Sequence, residues 1–403
     1  MTVQMSKTDC FSPSVSARST ALHLVHVPTP GDHFSAATGS AVMTVIYEFS
    51  RCHAAAGGET TLIVGDKTRH DYPIGKHLEF DDKPLPDNRR KAIDAAMGRL
   101  GFQRPFIRRL YRPAMETLPT DFQGTILLHN AAAVVRLFKD RFPRSRICLW
   151  PHNDLFSTYS NREVRRTIDA VDGVIAVSRY IADGIERRLG YSSAKIVVVN
   201  NGADTERFRP RRGPLPAGDP IVLFVGRVTQ PKAPDLIIRA AAKLLNEKRR
   251  FIVRIVGNNG FSASDPLTPY ELDLRKLAAP LGSAVQFQPF VDRTRVMEEF
   301  AAASVYCVPS NWDDPCPLTV PEGLASGLPS IVSRRGGIPE MAGNAALYFS
   351  PPNVDELAER MALLLDDPDE RARWAQKARA RALEITWENQ YQLLRRELDR
   401  ISA

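Results

Sequence analysis

The chain has 403 residues, 43% of them hydrophobic and 25% charged. That composition excludes a fibrous repeat or a disordered tail and leaves room for two or three domains. The net charge of +8 is uneven: residues 1–200 hold 27 basic against 20 acidic side chains, residues 201–403 hold 27 against 26, and 83–146 alone hold 14 against 5. A local basic excess points to an anionic partner for the first half, such as membrane lipid, nucleic acid or an acidic glycan. No apolar run reaches the roughly eighteen residues of a membrane-spanning helix. The polar, Ser/Thr-rich start lacks the apolar core of a secretory signal, so a cytoplasmic protein is expected, with residues 1–20 flexible. Cys10, Cys52, Cys148, Cys307 and Cys316 are scattered with no CxxC pair, so neither a disulfide framework nor a zinc site is expected.

In chain order, short β-branched runs alternate with longer helical stretches. Strands are predicted at Ala21–Val27, Thr60–Val64, Thr125–His129, Ile147–Trp150, Gly173–Val177 and Ile196–Val199. Helices are predicted at Ala41–Ala56, Ala131–Arg141 and Ser178–Leu189, with Asp66–Pro119 less regular and basic. Strands that are apolar throughout, without alternation, have both faces covered, as in a parallel sheet under helices. Four prolines between Pro210 and Pro220, with Gly213 and Gly218, break any regular element. Beyond them strands are predicted at Ile221–Val225, Phe251–Val256, Val285–Phe287, Val305–Val308 and Ser330–Val332. The helices of this half fall at Pro234–Asn246, Pro269–Ala279, Arg293–Ala302 and Thr319–Ala325. From Asn353 to Ser402 only helices are expected, with Thr386 as N-cap of the last. The fold class is therefore α/β, with a first domain over 21–205, a linker over 206–220, a second domain over 221–385 and a final helix over 386–403. Such sheets bind ligands at the carboxyl ends of their strands, and a hinge lets the cleft between them close. No G-x-G-x-x-G follows the first strand and no G-x-x-x-x-G-K-[ST] occurs, which argues against nicotinamide- or ATP-dependent chemistry.

Three sets of residues carry chemistry. Gly226, Arg227 and Lys232 stand on the loop after the strand Ile221–Val225; a guanidinium fork and a flexible ammonium suit a diphosphate. Asp314 and Glu322 flank the start of the helix Thr319–Ala325, whose free N–H groups attract phosphate; each carboxylate can grip sugar hydroxyls. Taken alone, the same pair reads as helix capping. In the first half, Gly39 precedes a helix and can admit a close backbone approach. His152 follows a strand and can donate to a substrate oxygen, whereas His129 reads as structural.

The ordered combination resembles glycosyltransferase family 4, the retaining group 1 enzymes of the GT-B fold. Gly226-Arg227…Lys232 and Asp314…Glu322 are similar to its donor-site signature, and Asn200-Asn201-Gly202-Ala203-Asp204-Thr205-Glu206-Arg207-Phe208 and Gly336-Gly337-Ile338-Pro339-Glu340 to two of its recurrent loops. The likeness is strong from Asp172 to Asn344 and weak over 21–65. It implies two Rossmann-like domains with an interdomain cleft, and a last helix that crosses back to the first domain. It also implies that Arg227 and Lys232 hold the donor diphosphate, Asp314 the sugar hydroxyls and Glu322 the ribose. Leu318 and Thr319 would offer backbone N–H groups to the phosphates, and His152 would stand near the sugar. Gly39 falls where the family has a Gly-rich loop, though Thr38-Gly39-Ser40 has no double Gly. Asp314 replaces a family Glu, is one methylene shorter, and leaves Asp313 as the alternative if the loop is shifted by one. The resemblance further implies front-face substitution in which the leaving phosphate deprotonates the acceptor, with no metal and no cofactor beyond the nucleotide-sugar substrate. UDP is the first expectation for the nucleotide and GDP the second.

The acceptor expectation is a cell-envelope glycan or lipid-linked precursor, as in lipopolysaccharide or exopolysaccharide assembly. Arg89, Arg90, Lys91, Arg99, Arg104, Arg108, Arg109 and Arg112 alternate with Leu100, Phe102, Phe106, Ile107, Leu110 and Tyr111. This is the composition of a segment lying on an anionic membrane surface, the inner leaflet here; no nucleic-acid motif accompanies it. Two other readings stand beside this one. A sugar-nucleotide epimerase or hydrolase would need an acid/base carboxylate from the first domain, for which Asp154 is the candidate. A nucleotide-sugar-binding protein without turnover would be favoured by the Asp at 314.

Overall fold

The computed structural model describes residues 22–213, 218–260 and 262–402. The segment expected to be flexible, 1–20, and positions 214–217 of the expected linker lie outside them. Two all-parallel sheets form the framework. The first runs β3-β2-β1-β4-β5-β6-β7, with β1 His23–Val27, β2 Glu59–Gly65, β3 Lys76–Phe80, β4 Thr125–His129, β5 Arg146–Trp150, β6 Gly173–Ala176 and β7 Ile196–Val198. The second runs β10-β9-β8-β11-β12-β13, with β8 Ile221–Val225, β9 Ile252–Val256, β10 Val285–Gln288, β11 Val305–Val308, β12 Ser330–Ser333 and β13 Leu347–Phe349. Central strands such as β4 and β11 are buried at every position, because helices cover both faces.

The irregular reading of 66–119 is corrected. That segment forms the edge strand β3 and two helices, Asn88–Arg99 and Pro105–Glu116. β3 reads Lys-His-Leu-Glu-Phe and is buried only at its last residue, so it carries no apolar run. The second helix is started by a distant side chain: the Asp94 carboxylate accepts the N–H groups of Phe106 and Ile107, both at 3.0 Å. The helix Asn161–Ala170, with a capping box between Ser160 and Glu163, and the short helix Ile338–Ala342 were also absent from the sequence expectation. The helix expected from Arg293 begins at Val296.

The basic segment needs two further corrections. Tyr111 and Leu110 are core residues, 2% and 3% exposed. Arg104 is 8% exposed, paired with Glu163 at 3.1 Å and stacked 3.6 Å from the Tyr159 ring centre. All three leave the surface set. Leu100 and Phe102 stay on it, 73% and 62% exposed, with Arg89, Arg90, Lys91, Arg99, Arg109 and Arg112 exposed around them. Arg104 also donates to Thr158 O at 3.0 Å, on the loop leaving β5. The turn between the two helices therefore stands at the carboxyl ends of the first sheet.

The chain crosses between the sheets twice, side by side. Ala203 and Thr386 form a bridge, with Ala203 N–H donating to Ile385 O at 2.8 Å. The helix Trp387–Ser402 then lies on the first sheet's helix Ala41–Ala55. His53 Nδ1 meets Tyr391 Oη at 2.8 Å, Arg51 pairs with Glu388 at 2.9 Å, and Arg146 donates to Leu398 O at 3.1 Å. Trp387, Tyr391, Leu394 and Leu398 are all buried, which is the helical spacing read from the sequence. No helix among the described residues is long and apolar enough to cross a membrane.

Candidate active site

Between the sheets lies a cleft lined by loops at the carboxyl ends of β1, β5, β8, β9 and β11. All nine residues singled out in the sequence line it: Gly39, His152, Gly226, Arg227, Lys232, Asp314, Leu318, Thr319 and Glu322.

The basic wall follows β8. Gly226 has a φ of +154°, and a side chain on Gly257, at the end of β9, would come within 2.1 Å of the Gly226 carbonyl. The two strand ends therefore meet backbone to backbone. Arg227 is exposed beyond them. Gln230–Lys232 forms a 3-10 turn, and Ala233 takes a left-handed φ of +50° before the helix Pro234–Asn246. Such a conformation costs an alanine about 1–2 kcal/mol; here the Ala233 N–H donates to Gln230 O at 3.1 Å, and the turn is anchored by Pro231, whose carbonyl accepts Asn311 N–H at 2.8 Å. The turn brings the Lys232 ammonium onto the Asp314 carboxylate and 5.8 Å from the Trp312 ring centre.

The acidic wall follows β11. Asp314 is 4% exposed and faces the cleft, whereas Asp313 is exposed and accepts Gly336 N–H at 3.2 Å. Gly337 N–H donates to Asp314 O at 2.7 Å, and a side chain on Gly337 would strike Pro315 O at 1.9 Å. The Gly336-Gly337 loop is thus the mould that sets which of the two aspartates points inward. Leu318 and Thr319 start the helix Thr319–Ala325 with no side-chain cap, so its first N–H groups are free of the partner such a terminus ordinarily takes.

Glu322 has a partner that sequence reasoning missed. Arg293, from the loop after β10, pairs with it at 2.6 Å; Glu322 is buried and the Arg293 side chain is 13% exposed. Burial pushes the Glu322 carboxyl up, opposed by the Arg293 charge. Arg293 N–H also donates to Ala36 O at 3.4 Å, which ties this loop to the first domain across the cleft. A lone Arg far along the chain from its Glu leaves no spacing signal.

From the first domain come Gly39 and His152. Gly39 precedes Ser40, the N-cap of the helix Ala41–Ala55. His152 is held by its backbone, whose N–H donates to Asn130 Oδ1 at 2.8 Å, and its ring Nε2 meets His129 Nδ1 at 2.8 Å. Burial lowers the His152 imidazole to about 3, so it is neutral at physiological pH. Asp154 lies in a separate pocket with Tyr180, Arg187 and Arg188 and does not join the cleft.

Four buried polar side-chain atoms lining the cleft have no hydrogen-bond partner among the described residues: Asn201 Oδ1, Arg293 Nε, Ser310 Oγ and Trp312 Nε1. Buried polar atoms are rarely left unpaired in a folded protein. These four share one surface with three cations, Arg227, Lys232 and Arg293, and two carboxylates, Asp314 and Glu322, an arrangement able to meet a polar, anionic ligand with hydroxyl groups.

The two parallel sheets and the cleft between them define an α/β protein of GT-B architecture. Two family models divide the chain between them: Glycosyltransferase Family 4 matches residues 42–207 and Glycosyl transferases group 1 matches residues 205–381. The chain belongs to the group 1 glycosyltransferases of GT-B fold. Spore coat protein SA of Bacillus subtilis is 28% identical over 271 residues, 63% of this chain and 72% of that protein. A D-inositol 3-phosphate glycosyltransferase of Catenulispora acidiphila is 31% identical over 238 residues, 55% of this chain. The chain spans about half the length of that relative, 54%. Among solved structures, Anabaena HepE in complex with UDP and glucose superposes with a TM-score of 0.70 at 16% identity, covering 94% of this chain and 99% of that one. Sucrose-phosphate synthase from Thermosynechococcus elongatus gives 0.69 at 18%, with the same coverage of both chains. At these identities the structural likeness concerns the fold.

Proposed function

We propose that this glycosyltransferase moves a sugar from a nucleotide-diphosphate donor, a UDP-sugar first and GDP-mannose second, to a cell-envelope glycan or lipid-linked acceptor. Transfer proceeds with retention and without a metal. The observation that carries this reading is the cleft wall itself, where Arg227, Lys232, Asp314 and Glu322 converge beside unpaired buried polar atoms. Arg227, Lys232 and the N–H groups of Leu318 and Thr319 meet the diphosphate. In a cleft that excludes water, fixed charges of this kind stabilise the negative charge growing on the leaving group. Glu322 takes the ribose hydroxyls and Asp314 those of the sugar. The leaving phosphate accepts the acceptor's proton, so no side chain acts as covalent nucleophile. The UDP in a structural neighbour, HepE, supports the choice of nucleotide.

The acceptor reading draws on the exposed Leu100 and Phe102 amid exposed arginines at the carboxyl-end side of the first sheet. That surface suits peripheral attachment to the inner leaflet of the cytoplasmic membrane, where lipid-linked acceptors are assembled.

The donor assignment is tested by thermal unfolding in the presence of UDP-glucose, UDP-galactose, UDP-N-acetylglucosamine and GDP-mannose. A ligand at a hundred times its Kd stabilises the folded state by about 2.7 kcal/mol. One donor is expected to raise the midpoint well above the others. No shift with any nucleotide sugar or with free UDP and GDP would reject the reading.

A further inference from the structure

Behind His152 stand two more histidines that no part of the donor site uses. His152 Nε2 meets His129 Nδ1 at 2.8 Å, and His129 Nε2 meets His26 Nδ1 at 2.9 Å. The three rings stack in sequence, 5.1 Å between each pair of centres, with the Trp150 indole lying parallel to both His129 and His152. They come from the ends of three neighbouring strands: His26 from β1, His129 from β4, His152 from just after β5. His26 and His129 are fully buried, and His152 is 8% exposed where it lines the cleft. Asn130 takes a left-handed φ of +54° and fixes the His152 backbone with its side-chain oxygen, a conformation Asn tolerates better than most residues.

Burial keeps all three imidazoles neutral, so each has one N–H and one bare nitrogen. His129 uses both nitrogens within the row and must donate with one and accept with the other. Only two arrangements satisfy that condition. If every proton sits on Nε2, the row runs inward and ends on a buried His26 Nε2–H. If every proton sits on Nδ1, the row runs outward, His26 ends on a bare nitrogen, and His152 shows Nδ1–H to the cleft. His26 Nε2 has no partner among the described residues. A buried donor with no acceptor is the rarer and costlier defect, which selects the outward arrangement.

We propose that His26 and His129 are positioning residues that lock His152 in its Nδ1–H tautomer, so that it donates a hydrogen bond to a donor oxygen in the cleft. This rests on the donor-site reading above and sharpens it. A His152 held this way cannot take a proton from the acceptor, and that role stays with the leaving phosphate. His152 is thereby an electrostatic partner of a sugar oxygen.

The test is nitrogen-15 NMR of the histidine rings in the full chain without ligand. His152 is expected to carry its proton on Nδ1 in a single tautomer. His129→Leu should release it into exchange between tautomers. His129→Asn, whose amide N–H can stand where Nδ1–H stood, should restore the Nδ1–H form. UDP release from UDP-glucose should fall about tenfold in the Leu variant and recover in the Asn variant, with UDP affinity unchanged. A proton on His152 Nε2 in the unaltered protein, or a tautomer that His129→Leu leaves in place, would overturn the proposal. The unaltered protein alone decides the tautomer should the Leu variant fail to fold. Absence of UDP release by the unaltered protein would count against UDP-glucose as donor and leave the tautomer result standing.

Discussion

Lys232 and Asp314, on loops after the neighbouring strands β8 and β11, pair within the second-domain wall of the cleft, so the carboxylate assigned to the sugar also competes with the diphosphate for the ammonium. Asp314→Asn is therefore expected to leave UDP affinity unchanged or tighter while weakening the matching UDP-sugar about tenfold, as the loss of roughly 1.4 kcal/mol of sugar contact would do. Calorimetric titration with both ligands checks this; equal weakening of both would contradict the assigned roles. Glu322 behaves differently because Arg293, largely buried, pairs with it at 2.6 Å. Glu322→Gln leaves a largely buried guanidinium without its counter-charge, a loss that costs up to about 3–5 kcal/mol when burial is complete. The unfolding midpoint should fall together with UDP affinity, whereas loss of affinity at full stability would reduce Glu322 to a ligand contact alone. At this scale the chain was legible where a motif fixes spacing, as in Arg227 to Lys232 and Asp314 to Glu322. It was silent on Arg293 and on His26, whose partners arrive only when separate strands are brought side by side.

Glu340 joins the two halves through an element rather than a site. Its carboxylate, from the second domain, accepts the N–H groups of Arg179 and Tyr180 at 2.6 and 2.8 Å, which open the first-domain helix Arg179–Leu189. A carboxylate at a helix N-terminus satisfies orphan donors and meets the positive end of the helix dipole. Glu340→Ala should cost about 1–2 kcal/mol of stability, read as a lower midpoint in urea; an unchanged midpoint would show that the contact contributes nothing. The parallel strands were legible because their apolar runs are unbroken, and β4 and β8 fall at the predicted residues. The edge strand β3 and the helix Asn88–Arg99 were not. One is buried only at Phe80, and the other buries only Asp94 and Gly98, so neither shows the apolar periodicity that marks an element. The last helix was readable because Trp387, Tyr391, Leu394 and Leu398 all face the core.

At the scale of the whole molecule, the first domain carries the basic excess and the second is close to neutral. Attraction near an anionic membrane is worth roughly 1 kcal/mol per basic residue and is screened within about 8 Å at physiological salt. The protein should pellet with phosphatidylserine-containing vesicles at low salt and come off as salt rises. Changing Leu100 and Phe102 to Ser and reversing Arg99 and Arg109 to Glu should abolish pelleting with donor binding intact. Equal binding to neutral vesicles, or none to either, would favour a soluble acceptor. The central claim is transfer with retention from a nucleotide sugar held by Arg227 and Lys232. Its most direct measurement is proton NMR of the sugar first released from the donor that thermal unfolding selects. The account predicts that an α-linked donor yields the α anomer first, at a rate that Lys232→Ala reduces at least tenfold. First appearance of the β anomer, or a rate indifferent to Lys232, would contradict it.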